Sequence, residues 1–215
     1  MLSNRLSAII KRIKTKNNVI IDVGSDHSYI AINALLHANT KFVYNIEKNT
    51  APMQQGIKNL TRVNLLNKTE NIIADGLYIN KINKKINYCI ISGLGGNTIV
   101  NILSNSIVKN IKEYILVAND HPEKIRTYLR NTNQKISYEE MILENNIYYS
   151  LIQVSPKGKK IKNIKEILFG PINIKKETQI FKNYLKFLHI KYTKLLKLSN
   201  KEEHSIFLNE INSLL

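Results

Sequence analysis

Asp22, Gly24 and Asp26 close together in the run Ile-Ile-Asp-Val-Gly-Ser-Asp-His-Ser-Tyr, residues 20–29, are the densest chemistry in this chain. An apolar stretch that ends in an acid, a glycine and a second acid, just before a helix-like segment, reads as a nucleoside-binding turn at the end of a buried first strand. Gly24 can take a backbone conformation closed to other residues and lets a ligand approach the main chain. The two carboxylates can fix an amine or hydroxyl groups. No lysine follows, which argues against a triphosphate loop, and the three-glycine dinucleotide fingerprint is incomplete. Acids stand where a pyrophosphate would want bare N–H groups and would repel it. A cationic ligand fits better, and the common cationic nucleoside is S-adenosylmethionine. The plain alternative is a strand-to-helix turn capped by Ser25 or Asp26.

Four further apolar runs end in the same manner. Residues 42–46 end at Glu47, about 20 residues past the glycine, where sheets of this kind place an acid for ribose hydroxyls. Residues 71–74 end at Asp75-Gly76, residues 88–91 at Ser92-Gly93-Leu94-Gly95-Gly96, and residues 114–118 at Asn119-Asp120. Polar chemistry therefore collects at the carboxyl ends of strands, where open α/β sheets bind ligands.

Positioning those ends requires a particular set of elements. Helical stretches near residues 28–37, 50–64, 97–106 and 122–130 join one strand to the next, so the alternation predicts an α/β fold with a mostly parallel sheet and right-handed crossovers. Leu2, Leu6, Ile9 and Ile13 recur at helical spacing behind Ser3 and predict an opening helix over one edge or mouth of the sheet. Residues 136–144 and 147–155 flank Asn145-Asn146, a turn pair suited to a hairpin that closes the sheet with an antiparallel pair. The stretch from Pro156 to Ile174, with glycine and proline among lysines, reads as a boundary. Beyond it Phe181, Leu185, Leu188, Tyr192 and Leu195 form the seam of a helix that packs on a second one carrying Phe207, Ile211 and Leu214. The predicted division is a sheet domain over residues 1–156 and a basic helical hairpin over 157–215.

The formal charge is +16, from 32 Lys and Arg against 16 Asp and Glu. Excess of this kind marks a polyanion partner, or else follows from A+T-rich codons in a chain crowded with Ile, Lys and Asn. Distribution decides between them: from Pro156 to Asn200 twelve lysines face two acids, a net +10 in one segment. A solvated lysine face without a partner is the alternative. The single cysteine, Cys89, lies inside an apolar run and reads as a small buried residue, and one cysteine forms no internal disulfide, so a reducing, cytoplasmic setting is expected. Arg5, Lys11 and Arg12 interrupt the N-terminal stretch, so neither a signal peptide nor a membrane span is expected. Five scattered histidines and a lone cysteine suit no metal site.

The strings Leu2-Ser3-Asn4-Arg5-Leu6, Asp22-Val23-Gly24-Ser25-Asp26-His27-Ser28-Tyr29, Asp75-Gly76-Leu77, Gly93-Leu94-Gly95-Gly96 and Phe169-Gly170-Pro171, with Asn119, together resemble the bacterial tRNA (adenine-22-N1)-methyltransferases over nearly the whole chain. The resemblance implies a seven-stranded, Rossmann-like class I methyltransferase sheet with a coiled-coil-like C-terminal hairpin. It also implies S-adenosylmethionine as cofactor and N1 of an adenine in tRNA as methyl acceptor. The chain departs from the family at Val117-Ala118, where Gln-Pro is common, and at Ser92, where alanine is usual. Other readings from the same residues are an S-adenosylmethionine methyltransferase of another RNA position, or a non-catalytic RNA-binding protein of the same fold. A dehydrogenase is disfavoured by the missing glycine fingerprint.

On this resemblance Asp22, Gly24 and Asp26 take the methionine end of the cofactor, Glu47 its ribose, and Asp75 with Gly76 its adenine, while His27 and Gly93 border it. Asp75, Ser92, Asn119 and Asp120 are the candidates for stabilising the charge that develops on the acceptor ring. Gly93, Gly95 and Gly96 are expected to let the substrate base approach the backbone, Tyr29 to stack on a base, and Arg5, Arg126, Lys182 and Lys186 to bind RNA. The rival roles are a helix cap for His27, a core position for Tyr29, and ordinary surface ion pairs for Arg5 and Arg126. A monomer is expected.

Overall fold

The computed structural model describes residues 2–80, 82, 84–199 and 201–215; Asn200, the end of the lysine-rich segment, lies outside them. Seven strands form one sheet: β1 (Asn18–Val23), β2 (Thr40–Glu47), β3 (Thr69–Ile73), β4 (Ile86–Leu94), β5 (Ile111–Ala118), β6 (Ile136–Glu144) and β7 (Ile147–Val154). Their order is β3-β2-β1-β4-β5-β7-β6, with β7 antiparallel to both neighbours and the first five strands parallel. The chain reverses direction between β1 and β4, so this is the topological switch point at which such sheets open a ligand crevice.

All six residues of β1 are buried, as a parallel strand covered on both faces must be. Alternate residues feed two cores. Val19, Ile21 and Val23 pack with Ile99 of α4 (Gly96–Ser104) and with Ile125 and Leu129 of α5 (Pro122–Asn131). Ile20 instead packs with Ile9 of α1 (Asn4–Ile10), Ala31 and Ala34 of α2 (Tyr29–His37) and Leu60 of α3 (Thr50–Arg62). Ser3 caps α1, its hydroxyl accepting from the Leu6 N–H at 3.3 Å, so the opening helix starts where the sequence predicts. At the β6–β7 turn both Asn145 and Asn146 have positive φ (49° and 61°), the geometry a two-residue hairpin needs to follow strand twist.

Where the sequence reads as a boundary, the chain forms two short helices, α6 (Ile164–Phe169) and α7 (Pro171–Lys176), broken at Gly170. Each has six residues, too few to show a periodic apolar pattern. They lie against the sheet, and a buried ion pair joins them to it. Arg126 of α5 and Glu139 of β6 are 1% and 0% exposed and meet at 2.7 Å. Arg126 also donates to the carbonyls of Ile167 and Leu168 and to the Ser150 hydroxyl, while Glu139 accepts from the Ile172 N–H. Gly170 has φ +88°, and a methyl group there would run into the Glu139 carboxylate, so only glycine suits this junction.

The final pair is α8 (Gln179–Leu198) and α9 (Glu202–Asn212). Phe181, Leu185 and Leu188 of α8 are buried with Ile211 of α9, and Tyr192 stacks on Phe207 with centroids 4.4 Å apart. That cluster also takes in Met141 of β6 and Leu168 and Phe169 of α6. The hairpin thus rests directly on β6, with α6 alongside, and shares one core with the sheet. Its charge is uneven: α8 carries five lysines and no acid, whereas α9 carries Glu202, Glu203 and Glu210 and no Lys or Arg.

Candidate active site

The β1–α2 turn and the end of β4 wall a pocket of about 490 Å³ over the switch point, within the range usual for small-ligand sites. It brings together Arg5, Asp22, Gly24, Asp26, His27, Tyr29, Ser92 and Gly93 from α1, β1, the turn and β4. Ser25, Leu6 and Ile9 line it as well; the sequence reading missed them as ligand contacts because they look like a helix cap and core positions.

Asp22 is the unusual group here. It is 2% exposed, and its carboxyl is pushed up to about 7, first by burial and then by the charges of Asp26 and Glu47, with Ser25 offsetting part of the rise. A carboxyl held near neutrality among like charges is short of a cation. Asp26 and His27 are exposed at the rim, where the Asp26 carboxylate accepts from the His27 N–H at 2.8 Å. The rings of His27 and Tyr29 stack at 5.3 Å and 22°, and Tyr29 is 58% exposed, so it is not a core residue.

Glu47 lies at the end of β2 and is buried; one oxygen accepts from the Asn49 N–H at 2.9 Å. The Gly24 and Ser25 N–H groups both donate to the Ile46 carbonyl, so Glu47 follows directly beside the turn. Its own carbonyl accepts from the Ala74 N–H, which brings Asp75-Gly76 next in line. Asp75 is exposed and paired with Lys48 at 2.8 Å. Asp22, Glu47 and Asp75 therefore form a row along neighbouring strand ends, long enough for an extended ligand.

Asp75 does not join the acceptor-side candidates. It follows β3, while Asn119 and Asp120 follow β5, four strands away in the sheet and roughly 19 Å at the usual strand spacing. That separation sets it apart from the other expected acceptor-side residues and beside those expected to hold the cofactor.

Ser92 and Gly93 stand between the two sides. The β4–β5 register slips between Ser92 and Leu94, a bulge that turns this strand end outward. Asn119 holds the bulge: its Nδ2 donates to the Gly93 carbonyl at 2.8 Å, and its N–H donates to the Leu94 carbonyl. One amide hydrogen is thus committed to the protein, and the Oδ1 oxygen is left as an acceptor. Asp120 accepts from the Gly96 N–H at 3.1 Å and so caps α4.

The glycines after the bulge serve the protein itself. A Cβ on Gly95 would lie 2.6 Å from the Asp120 carboxylate, and one on Gly96 would collide with the His121 carbonyl. These two positions let α4 start against the β5–α5 loop, a packing reason for glycine that stands beside the expected approach of a base to their backbone. The expected RNA contact of Arg126 is corrected, because its guanidinium is spent inside the protein and reaches no solvent phosphate. Its partner Glu139 sits on another element, a pairing that no local sequence signal marks. Arg5 lines the pocket but already pairs with Glu144 at 3.2 Å and lies over the Tyr149 ring at 4.4 Å. Burial pushes the Glu144 carboxyl up, yet the Arg5 N–H and guanidinium outweigh it and hold the group low. Lys182 pairs with Glu177 at 3.3 Å in the open, and Lys186 is exposed on α8. Cys89 is fully buried, which drives its thiol up and leaves no thiolate.

Residues 20–214 match the family model described as tRNA (adenine(22)-N(1))-methyltransferase. The chain belongs to this family. Among solved structures it is similar to the TrmK of M. capricolum in complex with S-adenosyl-homocysteine, with 30% identity and a TM-score of 0.87 over 100% of this chain and 96% of that one. It is also similar to a protein of the NADB-Rossmann superfamily from Streptococcus agalactiae, with 28% identity and a TM-score of 0.90 over 100% and 97%. The m1A22 tRNA methyltransferase TrmK of B. subtilis shares the fold at 22% identity, with a TM-score of 0.78 over 99% and 95%. No curated protein sequence matches. As a tRNA (adenine(22)-N(1))-methyltransferase family member the chain carries the Rossmann-like sheet its strand ends predict. Among the described residues no helix is long and apolar enough to cross a membrane, and no three metal-ligating side chains come together.

Proposed function

We propose that the chain uses the row of acids at the ends of β1, β2 and β3 to hold S-adenosylmethionine, and the Ser92–Asn119 rim to present N1 of adenine 22 of tRNA to it. The observation that carries this reading is Asp22, a buried carboxyl raised toward 7 beside two more acids, which a cationic ligand relieves. Asp22 and Asp26 hold the amino-acid end, Glu47 takes the ribose hydroxyls, and Asp75-Gly76 border the adenine. When bound, the cofactor supplies an electrophilic sulfonium methyl group.

The chain's own residues have modest chemistry to do. Adenine N1 carries a lone pair at neutral pH, so no base is needed, and positioning supplies much of the rate. Methylation at N1 would leave positive charge on the acceptor ring. Asn119 Oδ1 accepts from the exocyclic amine as that charge builds, and it is preorganised by the bond from Nδ2 to Gly93. Ser92, at the bulge, adds a second polar contact at the rim. His27 and Tyr29 offer a stacked surface at the mouth. The enzyme acts as a monomer in a reducing, cytoplasmic setting.

Incubating total tRNA with the protein and methyl-labelled cofactor, then analysing nucleosides by mass spectrometry, should give labelled 1-methyladenosine. Label on guanosine or on a carbon atom would refute the substrate assignment. Asn119→Ala should lower kcat far more than tRNA affinity.

A further inference from the structure

A second cleft begins where the methyl-acceptor rim ends. Asn119 and Asp120 line one side of it, and α8 lines the other with Tyr184, Phe187 and Lys191. Tyr148 forms the floor, its ring 5.3 Å from Tyr184 and 5.5 Å from Phe187, both tilted. The cleft has about 280 Å³, at the small end for ligand sites, which suits one ring system and leaves no space for a chain of nucleotides.

Three features favour a base over a protein side chain as occupant. Phe187 is 49% exposed although it is aromatic, and it stands outside the buried cluster that holds α8 to α9. Lysines 186, 191 and 194 flank it on the same helix without an acid among them, which matches a phosphate backbone. Tyr148 and Tyr184 are half-buried beside it, so their rings extend the aromatic wall while their hydroxyls stay open to solvent or to an occupant's polar edge.

We infer that this cleft takes a nucleobase of tRNA next to the methylated one, stacked on Phe187 and Tyr148 with its phosphate at Lys191. The inference rests on the function proposed above. Swinging the target adenine out of its helix breaks its stacking with both neighbours, and a second stacking platform one rim away recovers part of that cost. Asn119 links the two sites, lining this cleft while its Nδ2 donates to the carbonyl of Gly93, which lines the first pocket.

The test is a double-mutant cycle on tRNA affinity, measured at fixed salt with wild type and Phe187→Ala against intact tRNA and tRNAs abasic at each position flanking the target. Phe187→Ala should weaken intact tRNA binding about tenfold, and the same variant should lose little more on one of the two abasic tRNAs. Phe187→Trp should keep the affinity. Cofactor affinity and the circular dichroism spectrum should match wild type throughout; if Phe187→Ala fails that check, Phe187→Leu replaces it in the cycle. Full additivity at both flanking positions would overturn the cleft as a base site, even while the wild-type enzyme still methylates intact tRNA. Absence of any methylation by wild type would instead sink the parent reading.

Discussion

A single carboxyl carries the sharpest consequence at the scale of residues. Asp22 is raised from 3.8 to about 7 by burial and by Asp26 and Glu47, so without ligand the folded chain binds a proton there that the unfolded chain has lost. Stability therefore falls as pH rises from about 4 to 7, and the full penalty is present above 7. Asp22→Asn should raise the melting temperature of the ligand-free protein at pH 8 and have no such effect at pH 4, as calorimetry would read. A cationic ligand favours ionised Asp22, so S-adenosylmethionine should bind wild type more tightly at pH 7 than at pH 5.5, releasing a proton, while Asp22→Asn binds weakly at both. A flat affinity profile in wild type would remove Asp22 from the site. The acids were legible in the sequence because a buried strand has no other reason to end in them. Arg126 was not: an arginine on a polar helix looks like a surface residue until the strand that buries it is known.

Among elements, the junction of α5, β6, α6 and α7 decides whether the hairpin has a fixed seat. Glu139 neutralises Arg126 with both side chains essentially out of water. Glu139→Gln leaves that guanidinium buried and uncompensated, at a cost of about 3–5 kcal/mol. Chemical denaturation should show the loss, and replacing Arg126 and Glu139 together by Met and Leu should recover most of it. Equal destabilisation by the single and double changes would mean that packing, not charge, holds the junction. The sheet and the α8–α9 seam were readable because their apolar periods run for several turns or strand lengths. The two short helices between them were not, since glycine, proline and lysine in that stretch look the same in a linker.

At the scale of the molecule, charge is segregated as well as excessive. The five lysines of α8 face outward while α9 presents acids. Changing Lys186, Lys191, Lys194 and Lys197 to Gln should weaken tRNA binding and flatten its dependence on salt without touching cofactor affinity. An unchanged salt slope would leave those lysines as a by-product of codon usage. The junction described above gives this grip a further meaning. Arg126 lies one helical turn from the loop that carries Asn119, and the same side chain is tied to α6, whose Leu168 and Phe169 pack into the core of the hairpin. The lysine face of α8 and the Ser92–Asn119 rim thus belong to one packed body, with a set span between them. On the function proposed above, an RNA arm lengthened by one base pair should shift the nucleotide offered to that rim and go unmethylated.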